Sequence, residues 1–376
     1  MNATGLIVEY NPFHNGHLYH LKKVIEIDKD SVKIAVMSGD FVQRGEPAII
    51  DKDVRAKIAI ENGIDIVVEL PVFYSCQSAE IFAIGAVGIL NEIGCKNLIF
   101  GSESNDIEKL KKILELTEAD EFKIKMKEAL NAGNSYPTAY DMALNIDSKL
   151  ASNDILGLEY IKAIKNLRSD IIPITIKREK TFYYEDKIID NFASGTKIRA
   201  LIKNNEAIDK VVPENTYKVL REIDKENKIP YLEDYYALIR YQIINNYEKL
   251  KYIQDIEIGF ENRLYQMACK YEEIYDFFSN IITKRISIGR AQRILIHILI
   301  DLTVQITDIV KKDIPYVKII DYSKKGQTYL NFIKKFKNKK IISTYKNITK
   351  NFSKQQIDMI EFNRKANVIY KLKNKK

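Results

Sequence analysis

Only three cysteines occur in 376 residues, Cys76, Cys95 and Cys269, and no two are spaced as CxxC. That scarcity argues against a disulfide scaffold and against a Cys-rich zinc site. Long apolar runs are missing too: the longest clean one, Ile81 to Leu90, is about half of what a bilayer span needs. Met1 to Tyr10 reads as a strand rather than a basic segment followed by an apolar stretch, so no secretory signal is expected. Neither GxxxxGKS nor GxxxxGKT occurs, which sets ordinary P-loop chemistry aside. Internal repeats and low-complexity linkers are also absent. The expectation is a cytoplasmic protein in reducing surroundings, with no membrane contact and no obligate protein partner visible in the sequence. Hydrophobic residues make up 46% and charged residues 29%, enough to bury a core, and the length suits two domains.

Charge is unevenly placed. The chain carries 59 basic and 51 acidic side chains, yet residues 331–376 hold fourteen Lys and Arg against two acids, Asp358 and Glu361. A slightly acidic body with a basic end suggests that the end meets a polyanion. A solvated Lys-rich tail is the competing reading.

Along the first 200 residues strand and helix signals alternate. Gly5–Tyr10, Val32–Met37, Ile64–Leu70, Asn97–Gly101 and Ile171–Ile176 are short, β-branched or apolar strand candidates. Helical spacing separates them: Leu18, Leu21 and Ile25, then Asp53 to Asn62 stopped by Gly63, then Ser78 to Ile93. Such a pattern predicts an α/β fold with a parallel sheet covered on both faces. Ligands of these sheets bind beyond the carboxyl ends of the strands, which points to Asn11–His17, Ser38–Pro47, Gly101–Ser104 and the segment after Ile176. From about residue 205 the pattern turns helical, with Tyr235–Asn246, Glu261–Tyr275 and Ala291–Val310 predicted as helices. A smaller unit follows: strand Tyr316–Ile320, helix Gly326–Phe336 and strand Lys340–Ser343.

The strongest chemical signal is Glu9-Tyr10-Asn11-Pro12-Phe13-His14-Asn15-Gly16-His17, between the first strand and the first helix. At a helix entrance, His14 and His17 can turn both imidazoles toward one point. Gly16 leaves room for a nucleotide, and the helix N-terminus favours phosphate. Two imidazoles there could stabilise negative charge as a phosphoanhydride breaks. A metal site is the other reading, since His20 lies three residues on, but no further ligands stand at suitable spacing. His297, inside the apolar run Ile294–Ile300, reads as a core histidine. Further on, Ser194-Gly195-Thr196-Lys197-Ile198-Arg199 puts hydroxyls and two cations at a helix start, suited to β- and γ-phosphates; an ordinary capped helix start is the alternative.

HxGH after the first strand resembles the signature of nucleotidyltransferases related to class I aminoacyl-tRNA synthetases, and SGTKIR resembles their KMSKS-like or ISSTxxR-like element. Three stretches narrow the resemblance: Gly5 to His17, Ser38-Gly39-Asp40-Phe41-Val42-Gln43-Arg44-Gly45-Glu46-Pro47-Ala48, and Asn153-Asp154-Ile155-Leu156-Gly157-Leu158-Glu159-Tyr160. Together with Thr283-Lys284-Arg285 to Arg290-Ala291-Gln292-Arg293 and the element around Tyr316–Ser343, they look like the bacterial tRNA(Met) cytidine acetate ligases over most of the chain. The resemblance implies a Rossmann-like parallel sheet of nucleotidyltransferase type in residues 1–204, then a mainly helical tRNA-binding domain in residues 205–376 with a small βαβ element. It also implies a two-step reaction. ATP and acetate give acetyl-adenylate and pyrophosphate, and the acetyl group passes to N4 of the wobble cytidine of elongator tRNA(Met). Mg²⁺ is expected with the ATP, though no protein ligand set for it is visible.

The resemblance assigns ATP binding to Ile7, Val8, Glu9, Tyr10, Asn11, Pro12, Phe13, His14, Asn15, Gly16, His17, Leu18, Tyr19 and His20, and further nucleotide contacts to Gly101, Asn153 and Arg178. Ser194, Thr196, Lys197 and Arg199 join them as phosphate-binding residues. Each of the three further contacts has a plainer reading: Gly101 as a turn, Asn153 as a helix N-cap, Arg178 as a surface charge. On the next strand-end loop, Asp40 could orient the cytidine amine and Arg44 could pair with acetate or phosphate, against an Arg44–Glu46 loop pair. His14, His17 and Asp40 are the catalytic candidates. Lys284, Arg285, Arg290 and Arg293 are the tRNA-phosphate candidates, with Arg290 and Arg293 expected on one helix face. The chain departs from the family pattern at Ile286 and Ser287, where an aromatic residue and a threonine are expected, and at Gly195, where Ala or Ser is more usual. Two competing functions are a small-molecule adenylyltransferase, which would not need the further helical part, and a tRNA-binding module with a decayed nucleotide site.

Overall fold

A computed structural model describes residues 1–145, 150–178, 191–336, 340–346 and 348–375. Among these residues seven strands form one sheet: β1 (Ala3–Val8), β2 (Val32–Ser38), β3 (Ile66–Leu70), β4 (Asn97–Ser102), β5 (Ile172–Lys177), β6 (Val317–Tyr322) and β7 (Ile341–Ile342). Their order is β5-β4-β1-β2-β3-β6-β7. The first five are parallel, β6 runs antiparallel to β3, and β7 runs parallel to β6.

The helices of the first part are α1 (Asn15–Ile27), α2 (Lys52–Glu61), α3 (Val72–Ser75), α4 (Ala79–Glu92), α5 (Ile107–Glu118), α6 (Asp120–Asn131), α7 (Tyr136–Leu144), α8 (Ser152–Asn166) and α9 (Gly195–Lys203). Beyond them come α10 (Glu214–Lys225), α11 (Tyr236–Asn245), α12 (Phe260–Lys270), α13 (Ile274–Ile281), α14 (Ile288–Ile300), α15 (Val304–Val310), α16 (Lys324–Ile333), α17 (Ile348–Asn351) and α18 (Lys354–Tyr370).

Period-two alternation sorts the strands between two cores. Leu6, Val8, Ala35, Met37 and Ile99 pack with α1, α2 and α9, while Ile34, Val36, Leu98 and Phe100 pack with α4, α8 and the later helices. The connection leaving β1 thus covers one face and those leaving β4 the other. This makes the boundary between β1 and β4 the place where the sheet opens at its carboxyl end.

Three sequence expectations are corrected. The predicted helix Ala291–Val310 is two helices, because Asp301 turns left-handed at φ 61° and Thr303 then caps α15; Asp tolerates that backbone better than most residues. The predicted helix Glu261–Tyr275 stops at Lys270, where Tyr271 is extended, and α13 begins at Ile274. The terminal β-α-β unit forms as predicted, but β6 bonds to β3, so it extends the sheet instead of standing within the helical part; residues 337–339 of this unit lie outside those described. The basic end is not a solvated tail either. Helix α18 folds onto the body, where Tyr370 donates to Ala48 O (2.8 Å), Asn363 to Glu69 (3.0 Å) and Lys371 pairs with Asp51 (3.1 Å).

Helix α14 is joined to the strand-end loops. A Cβ on Gly45, which sits at φ +79°, would stand 2.2 Å from the backbone nitrogen of Arg293, so only glycine lets this loop and α14 approach. His297 is fully buried as predicted, its ring nitrogens against Gln254 O (3.0 Å) and Cys76 O (2.7 Å).

Candidate active site

The β1–α1 loop is shaped by its own histidines. His14 is the N-cap of α1: its Nδ1 accepts from Gly16 N (3.0 Å), while Nδ1 of His17 accepts from His14 N (3.3 Å). With both Nδ1 atoms serving as acceptors, each neutral ring carries its proton on Nε2. The rings stack at 3.7 Å between centroids. Burial lowers the His14 imidazole to about 3, with Arg178 and Arg199 adding to the effect, and burial together with His14 holds His17 well below its ordinary value. Both are therefore neutral N–H donors at physiological pH. His20, one turn on, is lowered to about 4 by burial, and its Nε2 has no hydrogen-bond partner among the described residues.

Around this pair the loop is fixed from several sides. Asn11 Oδ1 accepts from Ile49 N (2.7 Å), and its buried Nδ2 has no hydrogen-bond partner among the described residues. Asn15 donates to Asn191 O and Lys210 O, both at 2.9 Å. Tyr10 and Phe13 are buried beneath His17 with their rings edge-on to each other. Ile7 and Val8 end β1, and Leu18 and Tyr19 continue α1 with His20.

Across the sheet opening, Gly101, Asn153 and Arg178 come together. A Cβ on Gly101 would lie 3.1 Å from the Arg178 side chain, whose guanidinium donates to Asn153 Oδ1 (2.8 Å). Asn153 is not the cap of α8, which is Ala151; its Nδ2 donates instead to Glu103 (2.5 Å). One N–H and one lone pair of that amide remain for a ligand. Sequence reasoning missed the supports of this trio. Asp154, buried in the first turn of α8, accepts from Ser102 Oγ (2.5 Å) and from Glu103 and Ser104 backbone N–H groups (3.1 Å each), wrapping the β4 end around it. Its place beside Asn153 and the Ser-Glu-Ser run after β4 were the available signals.

Ser194 caps α9, accepting from Lys197 N (3.1 Å), so the plainer reading of this segment is structurally correct. The same helix start nevertheless faces the HxGH loop. Arg199 donates to Asn11 O (2.9 Å), pairs with Glu46 (2.6 Å) and reaches Thr196 Oγ1 (3.3 Å). Glu46 thus has Arg199 as a partner, and three chain segments meet on one guanidinium. Asp40 has other partners. It is buried against Lys52 (3.1 Å) and Asn367 (3.1 Å), and Lys52 also holds Glu69 (2.6 Å). Burial raises the Asp40 carboxyl while Lys52 opposes the rise. These contacts tie the Asp40 carboxylate to Lys52 of α2 and Asn367 of α18.

Arg290 and Arg293 do share a face of α14, but it is turned onto residues 255–257. Arg290 pairs with Glu257 (2.5 Å) and donates to Asp255 O (2.9 Å), and Arg293 pairs with Asp255 (3.5 Å). Lys284 and Arg285 stay exposed. Ile286 is buried beneath them, and Ser287 is the N-cap of α14. Among the described residues no group of three or more His, Cys, Asp or Glu side chains could hold a metal ion, and no helix is long and apolar enough to cross a membrane.

Comparison with known proteins agrees with this geometry. The family model described as HIGH Nucleotidyl Transferase matches residues 1–376. The tRNA(Met) cytidine acetate ligase of Fusobacterium nucleatum is 50% identical over 99% of this chain and 96% of its own. The chain belongs to the tRNA(Met) cytidine acetate ligase family. The ligase of Caldicellulosiruptor saccharolyticus is 43% identical over the whole of this chain and 95% of its own. Two crystal structures of Thermotoga maritima TmcAL superpose over 99% of this chain and 95% of theirs. The apo form gives a TM-score of 0.91 at 32% identity, and the form bound with alpha-thio ATP gives 0.90 at 33%.

Proposed function

We propose that this protein activates acetate with ATP to acetyl-adenylate, releasing pyrophosphate, and then transfers the acetyl group to N4 of the wobble cytidine of elongator tRNA(Met), releasing AMP. The observation that carries the reading is the meeting of the HxGH loop, Glu46 and the SGTKIR helix start on Arg199. It stands in a chain half identical to a protein of that name. His14 and His17 supply neutral N–H donors to the phosphates, Lys197 and Arg199 supply charge, and the Gly101–Asn153–Arg178 side takes the nucleoside. Mg²⁺ would enter on the ATP phosphates with few or no protein ligands, and it neutralises phosphate charge when bound. The amine of cytidine is a weak nucleophile because its lone pair is delocalised into the ring, so an acyl group on a good leaving group is required.

Incubation with labelled acetate, ATP and total tRNA, followed by digestion to nucleosides, tests the assignment. The expected product is N4-acetylcytidine from an anticodon loop, where an unpaired base leaves its stack cheaply. Label entering from acetyl-CoA without ATP would overturn the mechanism. Pyrophosphate exchange that depends on a phosphorylated small molecule and not on acetate would favour an adenylyltransferase.

The nucleotide chemistry is assigned to residues 1–204 and the tRNA grip to the helical part of residues 205–376. Lys284 and Arg285 are the exposed members of the basic cluster, and reversing both charges leaves the Asp255–Glu257 pairs of Arg290 and Arg293 intact. The double variant is expected to bind tRNA about tenfold more weakly, with a salt slope reduced by about 1–2 and acetate-dependent exchange unchanged. Unchanged affinity and slope in a filter-binding titration would remove this surface from the docking site.

A further inference from the structure

Acetyl transfer to an exocyclic amine needs a group to take the amine proton, and the residues around the cleft limit which group that is. His14 and His17 have no spare lone pair, since each Nδ1 accepts a backbone N–H and each Nε2 carries the proton. Asp40 is held by Lys52 and Asn367, Glu46 by Arg199, and Glu103 by Asn153 and the backbone N–H of Asp154 (3.1 Å). Glu9 differs. One carboxylate oxygen accepts from Gln43 N (2.9 Å), and the other has no hydrogen-bond partner among the described residues.

Glu9 is also held in place from both sides. Its backbone carbonyl accepts from buried Arg55 (2.6 Å), and the side chain of Gln43 donates to Gln77 O (3.1 Å), fixing the loop that presents Gln43 N. By strand alternation its side chain projects to the sheet face of Ile7, opposite to Val8 and Tyr10. Its side chain is half-buried. It stands close to the phosphate-binding side: Arg199 donates to Asn11 O, two residues on, and its charge acts on both Glu9 and His14. Burial raises its carboxyl above the ordinary value, with the Gln43 N–H, Arg199 and Arg44 opposing, which makes it a stronger base than an exposed carboxylate.

Resting on the reaction proposed above, we propose that the Glu9 carboxylate is the general base of acetyl transfer. The N4 lone pair attacks the acetyl carbonyl carbon and a C–N bond forms. The bond from that carbon to the phosphate oxygen of AMP breaks, AMP leaves with the electron pair, and the N4 proton passes to the free oxygen of Glu9.

Glu9→Gln keeps the acceptor for Gln43 N and removes the base. With wild type and variant each loaded with labelled acetyl-adenylate from acetate and ATP, the single-turnover rate of transfer to tRNA is compared with acetate-dependent pyrophosphate exchange. Transfer is expected to fall about 10²- to 10⁴-fold further than exchange. Its rise with pH, set by the carboxylate fraction, should flatten in Glu9→Gln and return in Glu9→Asp at an intermediate rate. Transfer at the wild-type rate in Glu9→Gln, or equal losses in both steps, would overturn the role. Wild-type enzyme that forms acetyl-adenylate but labels no RNA would sink the acetyl-transfer reading and Glu9 with it. A selective defect in Glu9→Gln beside a normal wild type concerns Glu9 alone and supports it.

Discussion

Replacing His14 or His17 by alanine is expected to slow acetate-dependent pyrophosphate exchange by about 10²- to 10³-fold, the loss typical of removing one preorganised donor to developing charge, about 3–4 kcal/mol. The expectation follows from the two Nδ1 contacts, which place the proton of each neutral ring on Nε2. It also follows from burial, which keeps both rings neutral in the absence of phosphate. His14 has a second job as the cap of α1, and losing a cap costs about 0.5–2 kcal/mol of stability. His14→Asn separates the two roles, since its carboxamide oxygen can still cap the helix while the Nε2–H is lost. Exchange near wild type in both alanine variants would remove the histidines from the chemistry.

The same shifts fix a pH dependence. The folded-state values lie below the unfolded value of 6.5, so below that pH the unfolded chain binds more protons than the folded one. Stability contributed by these rings is fully present above about pH 6.5 and is lost progressively as pH falls toward about 3 for His14. Urea midpoints measured between pH 7.5 and 5 should fall, and the fall should be smaller in His14→Asn.

Much of this architecture was legible because the signals are local. The five parallel strands each read as a β-branched or apolar run, and Asp53 to Asn62 with Gly63 behind it differs from the observed Lys52–Glu61 by one residue at each end. The HxGH loop and the helix start at Ser194 were legible for the same reason, since caps and turns depend on a few adjacent residues. What escaped was set by contacts distant in sequence. Nothing local in Tyr316–Ile320 says that this strand bonds to β3, some 250 residues earlier, and not to a partner in the helical part. Arg290 and Arg293 read as a basic face because Asp255 and Glu257, which pair with them, lie more than thirty residues away. Asp40 sits on a strand-end loop, where a catalytic acid is expected, and only the fold shows that Asn367 of α18 and Lys52 hold its carboxylate.

Arg55 carries the largest structural prediction for the same reason. Within Asp53 to Asn62 it reads as an ordinary charged helix residue, yet it is fully buried. Its guanidinium donates to Ile50 O (3.0 Å), Glu9 O (2.6 Å), Ser38 O (2.9 Å) and Gly39 O. Those carbonyls belong to the ends of β1 and β2 and to the loop entering α2, so one side chain sets the spacing of the two loops that carry the HxGH motif and Gln43. Arg55→Met fills much of the volume but leaves four buried acceptors without a donor, and a loss of about 3–5 kcal/mol in unfolding free energy is expected. Arg55→Lys offers three donors on a point charge instead of a planar fork, and its stem cannot serve four carbonyls at once. It should remain folded with a lower urea midpoint. Its exchange rate should fall at saturating ATP as well as at low ATP, because the catalytic loop is displaced and not merely weakened in nucleotide binding. If Arg55→Lys unfolded at the wild-type urea concentration and exchanged pyrophosphate at the wild-type rate, the spacing of the strand ends would be set by the sheet alone, and the guanidinium would be a buried charge without that task.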